Sequence, residues 1–270
     1  MSLKSAALAF QFLTIIPVKV KGEVSEKNIS DSTEFFPFVG LFQGLLLSIA
    51  ALLLIRLFST EVTSGLVLLV YVLTNGGFHL DGLSDSFDAL SIKSTGDKER
   101  DREKRLAVMK DSTTGAIGAV AIWFTLFLKY LLIRECFLTS SLLYGCFILF
   151  MMPILSKWAL VSAMFCGRSA RKDGLGRIFL EGVRYKHLVV STVLTLAIFL
   201  APFFILRIFQ KSNEWQLVLF CISVMVMIYF FTLLLSRLFV ARFKGMTGDN
   251  FGAIHEMTEI LFLTVVILWG

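Results

Sequence analysis

Apolar stretches that approach or exceed the length of a bilayer crossing recur along the whole chain, at about 38–58, 64–80, 113–134, 140–165, 188–209, 215–240 and 253–269. Crossing ~30 Å of hydrocarbon takes ~20 helical residues, and lipid leaves no backbone polar group without an internal partner. The spacing therefore predicts an all-α, polytopic transmembrane bundle of about seven spans. A soluble fold would need polar helix faces, and these runs have almost none. Composition agrees: 56% of residues are hydrophobic, mean hydropathy is +0.79, and there are 27 Phe and only 4 Pro.

The cations alternate with the spans. Segments 1–37, 81–112, 167–187 and the last connection hold twenty Lys and Arg, the opposite connections hold four (Arg56, Arg134, Arg207, Lys211), and Lys129 and Lys157 fall within spans. By the positive-inside rule this predicts a cytoplasmic N-terminus and an outer C-terminus. The chain reads as one integral membrane domain, 1–270. Residues 1–37 form a cytoplasmic or interfacial segment, and 38–270 a bundle with cytoplasmic loops 81–112, 167–187 and 241–252. Residues 1–17 lack the charge pattern and small-residue cleavage site of a signal peptide and suit an interfacial segment. The four cysteines show no CxxC spacing, so neither a disulfide framework nor a zinc site is expected.

Every acidic or glycine-bearing motif falls on the cytoplasmic side. In segment 75–88, Asp81, Asp85 and Asp88 stand at i, i+4 and i+7 after Gly76, Gly77 and His79. On a helix they share one face, where hard cations such as Mg²⁺ find carboxylate oxygens. His79 is a candidate for assisting a metal or phosphate. In segment 105–118, Ser112, Thr113 or Thr114 is placed to cap the third span beside Lys110, and a helix N-terminus attracts anions. Segment 167–177 carries Arg168, Arg171 and Lys172 among glycines without a Walker A pattern. Lys157 lies inside a span, predicted either to snorkel toward the cytoplasm or to pair with an aspartate in a polar cavity. Asp249, Glu256 and Glu259 follow at i, i+7 and i+10, a second acidic face predicted to share one metal site with the first.

In order and spacing these motifs resemble the cobalamin synthase family. The resemblance rests on 77–88, on Met109–Lys110–Asp111–Ser112 with Gly115 and Gly118, and on Thr247–Gly248–Asp249 with Gly252, Ala253 and Glu259. Phe12–Leu13–Thr14 with Pro17, Phe36–Pro37 with Gly40, Lys157–Trp158–Ala159 and Gly174–Leu175–Gly176 extend it over nearly the whole chain. The resemblance implies an Mg²⁺-dependent adenosylcobinamide-GDP ribazoletransferase. Such an enzyme joins adenosylcobinamide-GDP to α-ribazole or its 5′-phosphate and releases GMP. It implies metal ligation by Asp81, Asp85 and Asp88, supported by Asp249, Glu256 and Glu259. A ribose hydroxyl attacks phosphorus, with Asp85 or Asp88 taking its proton. Phosphate contacts are expected from Lys110, Arg168, Arg171 and Lys172, with His79, Ser112 and Lys157 as further candidates. The partners expected are these substrates and the bilayer, with no nucleic acid, and homo-oligomerisation stays open. Lys157 stands where the family commonly has arginine, and a lysine cannot reproduce an arginine fork. Two alternatives are a CDP-alcohol phosphotransferase-like enzyme, against which Ser84–Asp85 replaces the Ala-Arg of that motif, and an ion or metabolite transporter, against which no inverted repeat is visible.

Overall fold

The computed structural model describes residues 2–111, 113–139, 141–206 and 214–269. Among them the regular structure is helical: α1 Leu3–Leu13, α2 Glu26–Ser32, α3 Phe36–Leu54, α4 Thr60–Asn75, α5 Phe78–Ser91, α6 Lys98–Val108, α7 Ala116–Thr139, α8 Leu142–Cys166, α9 Leu175–Gly182, α10 Tyr185–Leu206, α11 Glu214–Phe243 and α12 Gly248–Trp269. One isolated parallel bridge, Ser169 to Met246, is the extended pairing present among the described residues. Five helical segments are long and apolar enough to cross a membrane, the first running from α2 through α3. Two bent pairs, α4–α5 at 87° and α9–α10 at 91°, bring the number to seven if each counts as one span. The all-α polytopic reading holds. The second span differs from expectation, because the chain does not run on as one helix into the aspartates. Gly76 and Gly77 both take left-handed conformations, φ +64° and +71°, which a residue with a Cβ rarely adopts. The turn ends α4 and starts α5 in a new direction.

Helix α8 is the axis of the bundle. It is buried along nearly its whole length and packs against α3, α10, α11 and α12. Between apolar helices in lipid there is little hydrophobic driving force, so close backbone approach takes its place. Gly40 and Gly44 supply it on α3: a Cβ on Gly40 would come within 2.6 Å of Ile154 Cα and Pro153 O. Ser48 Oγ donates to Cys146 O at 2.8 Å across the same seam. At the end that carries the cationic loops, α2 is tied to α10 by Asp31, which accepts from Lys186 Nζ at 2.7 Å and His187 Nε2 at 2.9 Å.

Candidate active site

Two helix starts meet at this same end. Helices α5 and α12 cross where neither has a side chain. A Cβ on Gly82 would lie 2.6 Å from Asp249 O, and one on Gly252 would lie 2.7 Å from His79 O and 3.1 Å from Gly82 Cα. Asn250 fixes the register: its Oδ1 accepts from Thr247 N at 2.9 Å, and its Nδ2 donates to Ser86 Oγ at 2.9 Å. The crossing sets exposed Asp81 and half-buried Asp85 beside Asp249. Among the described residues Asp81 and Asp85 have no hydrogen bond or ion pair. Asp249 accepts from Thr247 Oγ1 at 3.2 Å and pairs with Arg171 Nη2 at 3.4 Å. Arg171 is delivered by the parallel bridge, in which Ala170 N donates to Met246 O at 2.9 Å and Met246 N to Arg168 O at 2.7 Å. Gly82→Ala should therefore force α5 and α12 apart, since backbone atoms cannot yield as a flexible side chain does. A displacement of about 1 Å at the aspartates is expected to lower turnover about 10²-fold. An assay of purified protein beside a Tm measurement would check this, and wild-type turnover would refute it.

Asp88 has another task. It is buried, and its two oxygens accept from Gly115 N at 2.7 Å and Gly118 N at 2.8 Å, the free N–H groups at the start of α7. The cap expected from Ser112, Thr113 or Thr114 thus comes from another helix. Ser112 itself lies outside the described residues, and Thr113 instead donates to Asp111 Oδ1. The clamp locks α5 against α7 and leaves Asp81 and Asp85 as the carboxylates of this helix without partners. Lys110 is exposed just after α6, and Arg168 is exposed on its loop; among the described residues neither side chain makes a hydrogen bond or ion pair with the aspartates.

Much of the basic loop 81–112 is an anchor. Arg102 donates to Phe243 O at 3.2 Å and Ala170 O at 2.9 Å, and Arg105 to Arg242 O and Ile92 O, both at 3.3 Å. A hydrogen bond from Ser94 Oγ, with those from the backbone and hydroxyl of Thr95, holds the Asp101 carboxyl down to about 2. A lowered carboxyl contributes stability above its unfolded value and loses it as pH falls through its folded value, so this anchor is complete at neutral pH and gives way only toward pH 2.

Glu256 and Glu259 are not part of the aspartate face. Glu256 sits seven residues beyond Asp249, about 10 Å further along α12. Both glutamates pair with Lys129 Nζ of α7, and their side chains and that of Lys129 are at most 4% exposed. Tyr71 OH donates to Glu259, as does Ser156 Oγ at 2.8 Å. Asp249, Glu256 and Glu259 therefore do not share one face here: Lys129 of another span pairs with the two glutamates, and Arg171 with Asp249. Lys157 also departs from both expectations, since it neither snorkels nor meets an aspartate. It is fully buried, with Nζ 2.7 Å from His255 Nε2, 3.2 Å from His79 Nε2 and 3.3 Å from Asn75 Oδ1. His79 and Lys157 therefore belong to a buried polar network behind the site rather than to an open phosphate surface. The sequence offered one signal for this network, two lysines and two glutamates at membrane depth that needed one another.

Two cavities flank Asp249. One, about 210 Å³, is lined by Arg171, Arg177, Asp173, Ser169 and residues 174–176 and 246–248. The other, about 190 Å³, is walled mainly by Phe, Leu and Met side chains and by glycines, with His79 and Asp249 at its polar edge. One cavity is thus polar and lined by two arginines, the other is mainly apolar, and Asp249 lines both.

The comparisons with known proteins concern the same span of chain. A family model described as Cobalamin-5-phosphate synthase matches residues 5–267. Among curated relatives, a protein of Thermodesulfovibrio yellowstonii named adenosylcobinamide-GDP ribazoletransferase is 35% identical, covering 97% of this chain and 95% of its own length. Proteins with the same name from Caldanaerobacter subterraneus subsp. tengcongensis and Desulfitobacterium hafniense are each 34% identical, covering 96% and 97% of this chain and 96% of their own lengths. No solved structure matches. With its motifs in family order and the match running almost end to end, the chain belongs to the cobalamin-5-phosphate synthase family.

Proposed function

We propose that this protein joins GDP-activated adenosylcobinamide to α-ribazole or its 5′-phosphate and releases GMP, in the last steps of cobalamin biosynthesis. One observation supports this reading above the others: unpartnered Asp81 and Asp85 converge on Asp249 and Arg171 between a cationic and an apolar cavity. In the transfer, a ribose hydroxyl forms a P–O bond to the phosphorus that carries cobinamide. The P–O bond to GMP breaks, GMP leaves as a phosphate monoester, and the hydroxyl proton passes to a carboxylate. Asp85 is the half-buried candidate for that proton, since the oxygens of Asp88 are taken by Gly115 and Gly118. Arg171, which lines the polar cavity, suits the diphosphate.

The donor set fits a hard divalent cation: three carboxylates stand together, and among the described residues Asp249 alone of them has an ion-pair partner, Arg171. Asp81, Asp85 and Asp249 would hold Mg²⁺, which supplies charge neutralisation at the diphosphate when bound. The positive-inside bias supports a prokaryotic cytoplasmic membrane with the site facing the cytoplasm.

The test incubates purified protein in lipid nanodiscs with adenosylcobinamide-GDP, α-ribazole and Mg²⁺, and follows cobalamin and GMP by chromatography. Both products are expected in equal amounts, falling to background with a chelator and returning with added Mg²⁺. No product from the complete mixture would remove the transferase reading, and turnover indifferent to chelation would remove the metal.

A further inference from the structure

We infer that the apolar cavity beside Asp249 is the binding site for the flat aromatic base of the acceptor, and that Met164 helps set which bases enter. This deepens the transferase reading and rests on it for the identity of the acceptor. The cavity of about 190 Å³ is walled by Phe12, Phe36, Phe78, Phe179, Leu160 and Met164. Phe179 meets Phe12 and Phe36 edge-on at 5.6 and 6.0 Å between centroids, so the wall is a preformed aromatic corner. It is assembled from the ends of several helices, among them α1, α3, α8 and α9, none of which contributes to the carboxylate cluster.

Two substrates must reach the reacting phosphorus from different directions. One brings guanine on a diphosphate, the other a ribose bearing 5,6-dimethylbenzimidazole. Guanine carries donors and acceptors along its edge, and burying them without partners is costly. The side chains of this cavity offer it only His79 and Asp249, and His79 already faces Lys157 through Nε2. Dimethylbenzimidazole in its riboside has no N–H at all, and its two methyl groups suit Phe, Leu and Met contacts. The diphosphate fits the other cavity, which Arg171 lines. Asp249 lines both. A base seated in the apolar cavity therefore presents its ribose at the carboxylates, where the hydroxyl must lose its proton. Met164 lies on α8 and is 3% exposed, a flexible side chain filling irregular space. Changing its volume changes the cavity without touching the carboxylates or Arg171.

The experiment uses the full-length protein in nanodiscs and two variants. Met164→Phe, which fills the cavity, is expected to weaken binding of α-ribazole alone about tenfold by saturation-transfer NMR. It should raise KM for α-ribazole by the same factor while KM for adenosylcobinamide-GDP moves less than twofold. Met164→Ala, which enlarges the cavity, is expected to raise kcat/KM for a bulkier naphthimidazole riboside relative to α-ribazole about tenfold. That gain of selectivity cannot come from a poorly folded protein. Binding of α-ribazole that weakens in Met164→Phe, with no product formed even by wild type, would keep the cavity assignment and remove the transfer reading. Product formation with the riboside selectivity unchanged in both variants would overturn the assignment and keep the transfer reading. Binding of α-ribazole unaffected by Met164→Phe, as an acyl chain in the cavity predicts, would also overturn it.

Discussion

Asp85→Asn is expected to lower turnover about 10³-fold with little change in Tm. The side chain keeps its size, and among the described residues it makes no hydrogen bond or ion pair whose loss would unsettle the fold. What changes is charge: one of three carboxylates is neutralised where a divalent cation and a proton acceptor are proposed. Loss of several kcal/mol of transition-state stabilisation, taken as about 4, corresponds to about 10³ in rate. A parallel titration of activity with Mg²⁺ separates the two roles. A ligand role predicts that much of the loss is recovered at high Mg²⁺, and a proton-acceptor role predicts a loss that Mg²⁺ does not repair. Wild-type turnover in this variant would remove Asp85 from the chemistry altogether.

Lys129→Met is expected to cause the largest loss of stability of any single substitution considered. Lys129 is 1% exposed and is the cation shared by Glu256 and Glu259. Its removal leaves two carboxylates buried side by side at membrane depth. Removing one partner of a buried ion pair costs about 3–5 kcal/mol, because the remaining charge is left uncompensated. Replacing the whole cluster, Lys129→Met with Glu256→Gln and Glu259→Gln, should restore most of the lost stability, since a neutral set of similar volume has no such penalty. Thermal unfolding in detergent reads both variants. A single variant as stable as wild type, or a triple variant no better than the single, would show that the pairing is not what holds α7 to α12.

The fold class was legible because lipid is an exacting solvent. Runs of ~20 apolar residues admit few structures other than a spanning helix, and the cationic loops punctuate them. The break after α4 was less visible. The run 64–80 reads as one span, and the left-handed turn that Gly76 and Gly77 make is set by backbone angles that hydropathy does not report. The aspartate spacing was read correctly as one helical face, yet spacing could not separate the duties of its members. Among the described residues no donor reaches the side chains of Asp81 and Asp85, and Asp88 is occupied because the start of α7 lies opposite. Nothing in segment 75–88 encodes that neighbour.

The same limit explains the acids of α12. Asp249, Glu256 and Glu259 look alike along the chain, and their periodicity is nearly common. Depth divides them, since Asp249 stands at the helix start beside Arg171 and the glutamates lie about two and about three turns further in, against Lys129. By itself the sequence determined the all-α polytopic class and the acidic inventory at one end, because hydropathy and helical period are local properties. Only the tertiary structure decided which carboxylates are available. Availability depends on what other helices bring within hydrogen-bonding distance, through contacts such as Gly82 on Gly252 that join residues far apart in the chain.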